Sequence, residues 1–388
     1  MLLTPYRVLD LTGPLGFVAG KVMADLGADV VKVEPPGGDP SRQWPPRVNG
    51  GQSLFWLATN AGKRSITLDL ESDGDRTLFR RLAAKADFIL ESFTPGTLDY
   101  DDLRRDNASL IMVSITPFGQ KGPYSRYQAF DLEIMALSGA MSLAGAQDGE
   151  PMRVTAPQAP YFVGVEAVMG ALTALAHRAR TGRGQHVDVS AQVAVLSAIA
   201  HAPAFWDLNR INPQRAGIYV TGRSVTGAKM RALWPCRDGW INFIIYGGAA
   251  GKQTNQQLVR WMDEKGLAPA SLQSIDWATF AVTGLTQEDV DRLEAPIGLF
   301  LTTLTRQEFL EGALQRQMLG YPVATVKDIF NDRQLAAREF WDQLTDATSG
   351  ATLTAPGGFG IVNGKRLRAG KRAPRAGEHN RDVLEAKS

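Results

Sequence analysis

Two glycines three residues apart, Gly13-Pro-Leu-Gly16, fall between a β-rich run and a run with helical apolar spacing. A turn at that place leaves backbone N–H groups free at a helix N-terminus, where the helix dipole favours negative charge. The segment therefore reads either as a phosphate cradle or as a plain tight turn. It is neither G-x-G-x-x-G nor a Walker loop, which removes the NAD-dependent dehydrogenase reading. Arg42, Lys63 and Arg64 lie beside strand ends, where basic side chains either pair with the phosphates of a nucleotide-like ligand or sit in water. Asp131 opens a helical segment after the loop Gly119-Gln-Lys-Gly-Pro-Tyr124 and is an N-cap or a chemical group. Gly247-Gly-Ala-Ala-Gly251 either lets a backbone approach a bound acid or turns the chain into a helix. No Ser-His-Asp spacing or nucleophile elbow is visible. The four histidines, His177, His186, His201 and His379, are not at metal-ligand spacing, and Cys236, the single cysteine, excludes a thiolate cluster and an intramolecular disulfide.

The elements that must position these residues follow from periodicity. Arg7-Val-Leu-Asp-Leu-Thr12 is a strand, 18–27 a helix, and Asp29-Val-Val-Lys-Val-Glu34 the next strand. Together they form a βαβ unit with a right-handed crossover. The pattern recurs with strand 64–70, amphipathic helix 74–85, strand 87–91 and strand 110–115. Such alternation predicts an α/β fold with a doubly wound large domain, whose ligands sit beyond the carboxyl ends of the strands. Residues 131–144 and 161–180 are helical, with Gly182 closing the second helix and Pro160 in its first turn, where a missing N–H costs nothing. Past Asn209 the texture changes to a hairpin around Arg237-Asp-Gly239 and helices reaching about Gly320. The expected domains are 1–209, a smaller domain at 210–320, and a return to the first domain at 321–388.

Composition limits the partners. The 42 Lys plus Arg nearly balance 40 Asp plus Glu, so no basic surface for nucleic acid is expected. A hydrophobic share of 44% supports a core for each of two domains in 388 residues. The N-terminus lacks a targeting pattern, no apolar stretch is expected to span a bilayer, and the single cysteine fits a reducing compartment, so the expected location is the cytoplasm.

Several blocks taken in order resemble the class III coenzyme A transferase family. They are Val8-Leu-Asp-Leu-Thr12, Leu26-Gly-Ala-Asp-Val-Val-Lys-Val-Glu-Pro-Pro-Gly-Gly-Asp-Pro40, Lys63-Arg-Ser-Ile-Thr-Leu-Asp-Leu70, Phe93-Thr-Pro-Gly96, Phe118-Gly-Gln-Lys-Gly-Pro-Tyr124, Ala129-Phe-Asp131, Thr181-Gly-Arg-Gly-Gln-His-Val-Asp-Val189 and Gly377-Glu-His379. The family contains formyl-CoA, crotonobetainyl-CoA and benzylsuccinyl-CoA transferases and α-methylacyl-CoA racemase. The resemblance implies a Rossmann-like large domain built from both termini, a small α+β domain, and an interlocked-ring dimer. It implies coenzyme A or acyl-CoA as substrate, with no permanently bound cofactor and no metal. By position, the adenine and phosphates of coenzyme A would lie over Leu15, Gly16, Leu68, Asp69, Leu70, Ser92, Phe93 and Thr94, and Gln128, Ala129, Phe130 and Asp131 would approach the pantetheine and thioester.

Against that family pattern, the nucleophilic aspartate of the Gly-Asp pair falls here on Pro160, preceded by Ala159. Two basic positions that touch coenzyme A in relatives are Pro35 and Tyr100. A racemase would need a His-Asp pair where this chain has Phe130-Asp131, so that activity is disfavoured. Val154-Thr-Ala-Pro-Gln-Ala-Pro160 resembles paired transferase subunits acting on succinate derivatives such as benzylsuccinate. The resemblance thus implies a subunit of a heteromeric transferase moving coenzyme A from an acyl-CoA such as succinyl-CoA to a carboxylic acid, partnered by a paralogous subunit. The alternatives are a self-sufficient homodimer using Asp131 or Glu166, and a non-enzymatic acyl-CoA-binding protein. Arg223, Trp234 and 247–251 are candidates for the wall of the acid pocket.

Overall fold

The computed structural model describes residues 2–48, 50–368, 370 and 372–385. The chain divides into two compact units, one of Met1–Ser142, Arg153–Pro213 and Arg333–Ser388, the other of Leu143–Met152 and Gln214–Asp332.

The first unit is built on six parallel strands: β1 (Arg7–Leu11), β2 (Asp29–Glu34), β3 (Arg64–Thr67), β4 (Phe88–Glu91), β5 (Ile111–Thr116) and β6 (His186–Ser190). Their order is β3-β2-β1-β4-β5-β6, so the direction of winding reverses between β1 and β4. That is the doubly wound arrangement the strand-helix alternation predicts, and the crevice at the reversal is where such sheets take ligands. Alternate side chains of each strand serve opposite cores. Val8, Phe88, Leu90, Ile111 and Val113 pack on helices α1 (Phe17–Asp25), through Ala19 and Met23, and α6 (Ala159–Thr181), through Val163, Ala167, Ala171 and Ala174. Leu9, Val31, Ile66, Ile89 and Met112 face the other way, onto Phe79 and Leu103. Helices α2 (Leu54–Asn60), α3 (Asp73–Ala83), α4 (Tyr100–Asp106) and α5 (Asp131–Leu137) complete the run to α6, and α7 (Ala191–Ala198) and α8 (His201–Asn209) follow β6.

Helix α6 approaches its neighbours closely because two of its residues lack a Cβ. A Cβ on Gly164 would stand 2.7 Å from the Val18 side chain, and one on Gly170 would stand 2.7 Å from Val187. The opposite face of α6 is apolar yet open: Tyr161, Val165 and Met169 are 50–60% exposed. By length and composition this helix could cross a membrane, contrary to the expectation that no such stretch exists; its other face packs into the sheet core.

In the second unit, β7 (Tyr219–Val220) pairs with β8 (Met230–Arg231), while β9 (Leu233–Cys236) and β10 (Gly239–Asn242) form the expected hairpin, with Cys236 opposite Gly239. Helices α9 (Gly248–Glu264), α10 (Ala270–Gln273), α11 (Gln287–Thr302) and α12 (Arg306–Gln315) surround a core of Trp234, Phe243, Trp261, Phe300 and Phe309. A short strand β11 (Tyr321–Pro322) then pairs antiparallel with β10, Asn242 opposite Tyr321. This pairing holds residues 321–332 in the second unit, so the chain leaves it at 333 rather than at 321. Arg215 draws Leu143–Met152 into the same unit by donating to the carbonyls of Ala146 and Gly149.

Candidate functional site

The loops that leave the carboxyl ends of β1 and β4 flank the reversal in strand order, and the structure ties them together. The Gly13 N–H donates to Ser92 Oγ at 2.6 Å. Gly16 must be a glycine, since a Cβ there would lie 2.6 Å from the Thr12 side chain. It opens α1 without any side-chain cap, which leaves the helix start to an external acceptor or to water. Leu15 and Gly16 are buried, and the Gly16 N–H closes the turn by donating to the Gly13 carbonyl at 2.9 Å.

The remaining candidates gather along the same edge. Leu68 is buried, and Leu70 and Phe93 pack against the cluster that contains it. Asp69 is exposed, with its backbone N–H held by Asp75 and its Oδ1 accepting from the Glu71 N–H at 3.0 Å. Thr94 Oγ1 accepts from Gln128 Nε2 at 3.4 Å, which links the loop after β4 to 128–131. Phe130 stands edge-on to Trp44, with ring centroids 5.9 Å apart.

Asp131 resolves into a cap, though not of its own helix. Its Oδ1 accepts the backbone N–H groups of Gln158 at 2.5 Å and Ala159 at 2.8 Å, the start of α6. Pro160 follows in the first turn of α6, as its missing N–H permits. The first turn of α6 therefore carries no acidic residue of its own and is closed by a buried carboxylate from 27 and 28 residues upstream.

Each of the three basic residues near the strand ends is paired with a carboxylate, Arg42 and Lys63 in buried pairs and Arg64 in a partly exposed one. Arg42 forms a two-pronged pair with Glu34, both contacts at 2.7 Å, donates to the Pro374 carbonyl, and lies over the Trp56 ring at 3.9 Å. Burial pushes the Glu34 carboxyl up, but the Arg42 bonds and charge outweigh it and hold the group below its ordinary value. Arg64 pairs with Asp29 at 2.8 and 2.5 Å. Lys63 is buried against Asp10 Oδ2 at 2.8 Å, Phe17 O at 3.0 Å and Asn60 Oδ1 at 2.9 Å. Burial lowers its pKa, which Asp10 opposes and Lys32 reinforces, leaving it at about 8.

Sequence reasoning passed over Asp10, Lys32, Glu91 and Ser114. Glu91 ends β4, accepts the Phe93 N–H at 2.6 Å and so shapes the loop of Ser92 to Thr94, while burial pushes its carboxyl up. Ser114 Oγ lies 2.8 Å from His186 Nε2. The available signal was a charged residue in the middle or at the end of an otherwise apolar strand, which has to be paired when buried.

In the second unit, the acid-pocket candidates separate into two clefts. Trp234 lines a cleft of about 640 Å³ with Lys229, Arg231, Asp291 and Glu294. Arg223, Gly247 and Gly248 line another of about 280 Å³ with Tyr246, whose ring lies 5.6 Å from the Arg223 guanidinium. Residues 247–251 are the entry to α9, with Gly247 as its N-cap and Gly251 pressed so closely on the Tyr246 carbonyl that a Cβ would lie 2.0 Å away. Glu294 accepts the Arg231 N–H at 2.7 Å, and burial raises its pKa to about 7.

The profile of CoA-transferase family III matches residues 3–380. The chain is 37% identical to the succinyl-CoA:(R)-benzylsuccinate CoA-transferase subunit BbsE of Thauera aromatica, over 98% of this chain and 92% of that one. It is 32% identical to the succinate–glutarate CoA-transferase of Agrobacterium fabrum, over 98% and 94%. Among solved structures, a CAIB/BAIF family protein from Brucella suis superposes with a TM-score of 0.81 at 29% identity, covering 99% of both chains.

Proposed function

The chain belongs to CoA-transferase family III, and from that membership we propose that it is one subunit of a heteromeric transferase whose catalytic carboxylate comes from a paralogous chain. The complex moves coenzyme A from an acyl-CoA such as succinyl-CoA to a carboxylic acid of the succinate-derivative type, benzylsuccinate-like. The likeness to BbsE, itself named as a subunit, supports both the pairing and the substrate class.

The observation that carries the reading is the start of α6. A covalent transferase needs a carboxylate whose lone pair is free to attack the thioester carbonyl and expel the thiolate. Pro160 has none, and the Asp131 oxygen nearest the helix is already shared by two backbone N–H groups. What this chain contributes is binding surface. Leu15, Gly16, Leu68, Asp69, Leu70, Ser92, Phe93 and Thr94 lie along the carboxyl edge of the sheet for the nucleotide end of coenzyme A, and 128–131 lie beside Thr94 for the pantetheine. The open apolar face of α6, with Leu132 and Leu137 of α5 and Val193 and Leu196 of α7, supports a second chain docking there.

The test is succinyl-CoA-dependent transfer to a panel of dicarboxylic and aromatic acids, by the chain alone and co-expressed with a paralogue bearing an aspartate where this chain has Pro160. Turnover only with the paralogue is expected. Turnover by the chain alone overturns the reading in favour of a homodimeric enzyme, and coenzyme A binding without turnover in either case makes the chain a binding protein.

A further inference from the structure

The cleft of about 640 Å³ in the second unit lies between one face of α11 and the run from Lys229 to Pro235. Trp234, Pro235, Ala295 and Leu299 give it apolar walls. Arg231 stands in the cleft half-buried, its guanidinium 5.3 Å from the Trp234 ring. Its Nε donates to Leu233 O at 3.0 Å, and its two terminal nitrogens meet no acceptor among the described residues. The buried acid of the cleft, Glu294, accepts the Arg231 backbone N–H at 2.7 Å rather than pairing with the guanidinium. Asp291 accepts from Gln287 Nε2 at 2.8 Å, and Lys229 donates to Gln147 Oε1. Elsewhere in the unit Arg237, Arg306 and Arg316 each meet a carboxylate.

An unpaired guanidinium fork beside an aromatic ring, in a cleft with apolar walls, is an arrangement that takes a planar anion through two parallel hydrogen bonds. We propose that this cleft is a binding site for a small organic monocarboxylate with an aromatic or aliphatic body, the carboxylate held by the Arg231 guanidinium and the body against Trp234 and Leu299. The volume suits such a ligand, since small-molecule sites measure roughly 300–1,000 Å³. Burial raises the Glu294 pKa to about 7, and with that group protonated Lys229 and Arg231 exceed Asp291 by a single positive charge. One negative charge matches it, whereas a dianion would lose its water to apolar walls without a second cation to compensate. The cleft lies wholly within the second unit, so the inference stands apart from the transferase reading and needs neither coenzyme A nor a paralogue.

The experiment is titration calorimetry of the full chain with benzoate, benzamide, benzylamine and phenyl phosphate. Benzoate is expected to bind, with benzamide and benzylamine weaker by about tenfold or more. Arg231→Gln should weaken benzoate by about tenfold or more, and Arg231→Lys, which keeps the charge and loses the fork, by less. Ala295→Phe, at an exposed position of α11, fills the cleft without altering a charge and should abolish binding with the melting temperature kept. Benzoate affinity that survives both Arg231→Gln and Ala295→Phe puts the acid elsewhere and overturns the inference. Equal binding of benzamide, or tighter binding of phenyl phosphate, overturns it too. A second measurement uses pH. The charged groups facing Glu294 are Arg231 and Asp291, and Lys229 shares the cleft. A bound carboxylate favours protonated Glu294, so benzoate affinity should fall by up to about tenfold between pH 6 and pH 8, and Glu294→Gln should remove that fall. Wild-type affinity that is equal at the two pH values counts against the site.

Discussion

The carboxylate of Asp131 caps the helix that begins at Ala159, its Oδ1 lying 2.8 Å from that residue's amide nitrogen and 2.5 Å from that of Gln158. A side chain that sequence alone leaves between cap and catalyst is thereby engaged in holding the first turn of α6. Truncating it strands two N–H groups at a buried helix end. Asp131→Ala should cost about 1–3 kcal/mol in urea denaturation, and Asp131→Asn, which keeps an accepting oxygen, clearly less. If Asp131→Asn in the two-chain complex abolishes turnover while stability is kept, the residue is chemical after all.

Pro160 occupies the first turn of α6, where a carboxylate would sit at the favourable end of the helix dipole. Pro160→Asp should therefore confer measurable transfer from succinyl-CoA on the single chain, with an acyl-enzyme trapped by hydroxylamine. A variant that binds CoA yet stays inert would mean that more than the nucleophile is missing.

Arg42 is matched to Glu34 inside the first unit and lies against Trp56. Removing it leaves a buried carboxylate without its cation, so Arg42→Ala should destabilise the chain by roughly 3–5 kcal/mol. A phosphate ligand would behave differently, with stability retained and CoA affinity lost.

Glu294 gives the second unit a pH dependence whose sign is fixed by burial. Its folded pKa of about 7 lies above the ordinary 4.5, so the folded state binds the proton more tightly. The associated stability is fully present below pH 4.5 and is lost as pH rises through 7, a change on the order of 3 kcal/mol. Glu294→Gln cannot ionise, and its melting temperature should exceed that of the wild type at pH 8 but match it near pH 5. Equal curves at both pH values would count against the assignment.

The exposed stripe of α6 makes a prediction about assembly. Val165 and Met169 are 60% and 59% exposed on a helix whose other face is core. Val165→Glu with Met169→Glu should leave the monomer's thermal stability nearly unchanged, because neither side chain is buried within it, while light scattering reports loss of dimer or heteromer. An assembly of unaltered mass would place the interface elsewhere.

Five of the six strands were legible because their chemistry is periodic, while β6, from His186 to Ser190, was not read as a strand. Residues such as Val8 and Leu9, or Val30 and Val31, alternate between two cores, and each apolar run is punctuated by a glycine or a capping residue. The hairpin at 237–239 was legible for the same local reason. The boundary at 333 was not, because it depends on Tyr321 pairing with Asn242, nearly eighty residues earlier in sequence. Nor were the roles of Arg42, Lys63 and Arg64, since a basic residue beside a strand end looks alike whether it meets a phosphate or a carboxylate.

What the sequence determined by itself is therefore the first five strands of the sheet, the family, and the proline in the first turn of α6, all properties of residue type and spacing. What only the tertiary structure decided is which charges are satisfied. Asp131 reaches forward across 28 residues to cap the start of α6, Arg42 finds Glu34, and two lysines converge on Asp10. Hydrogen bonds and ion pairs act over a few ångströms of space, a separation that sequence distance does not encode.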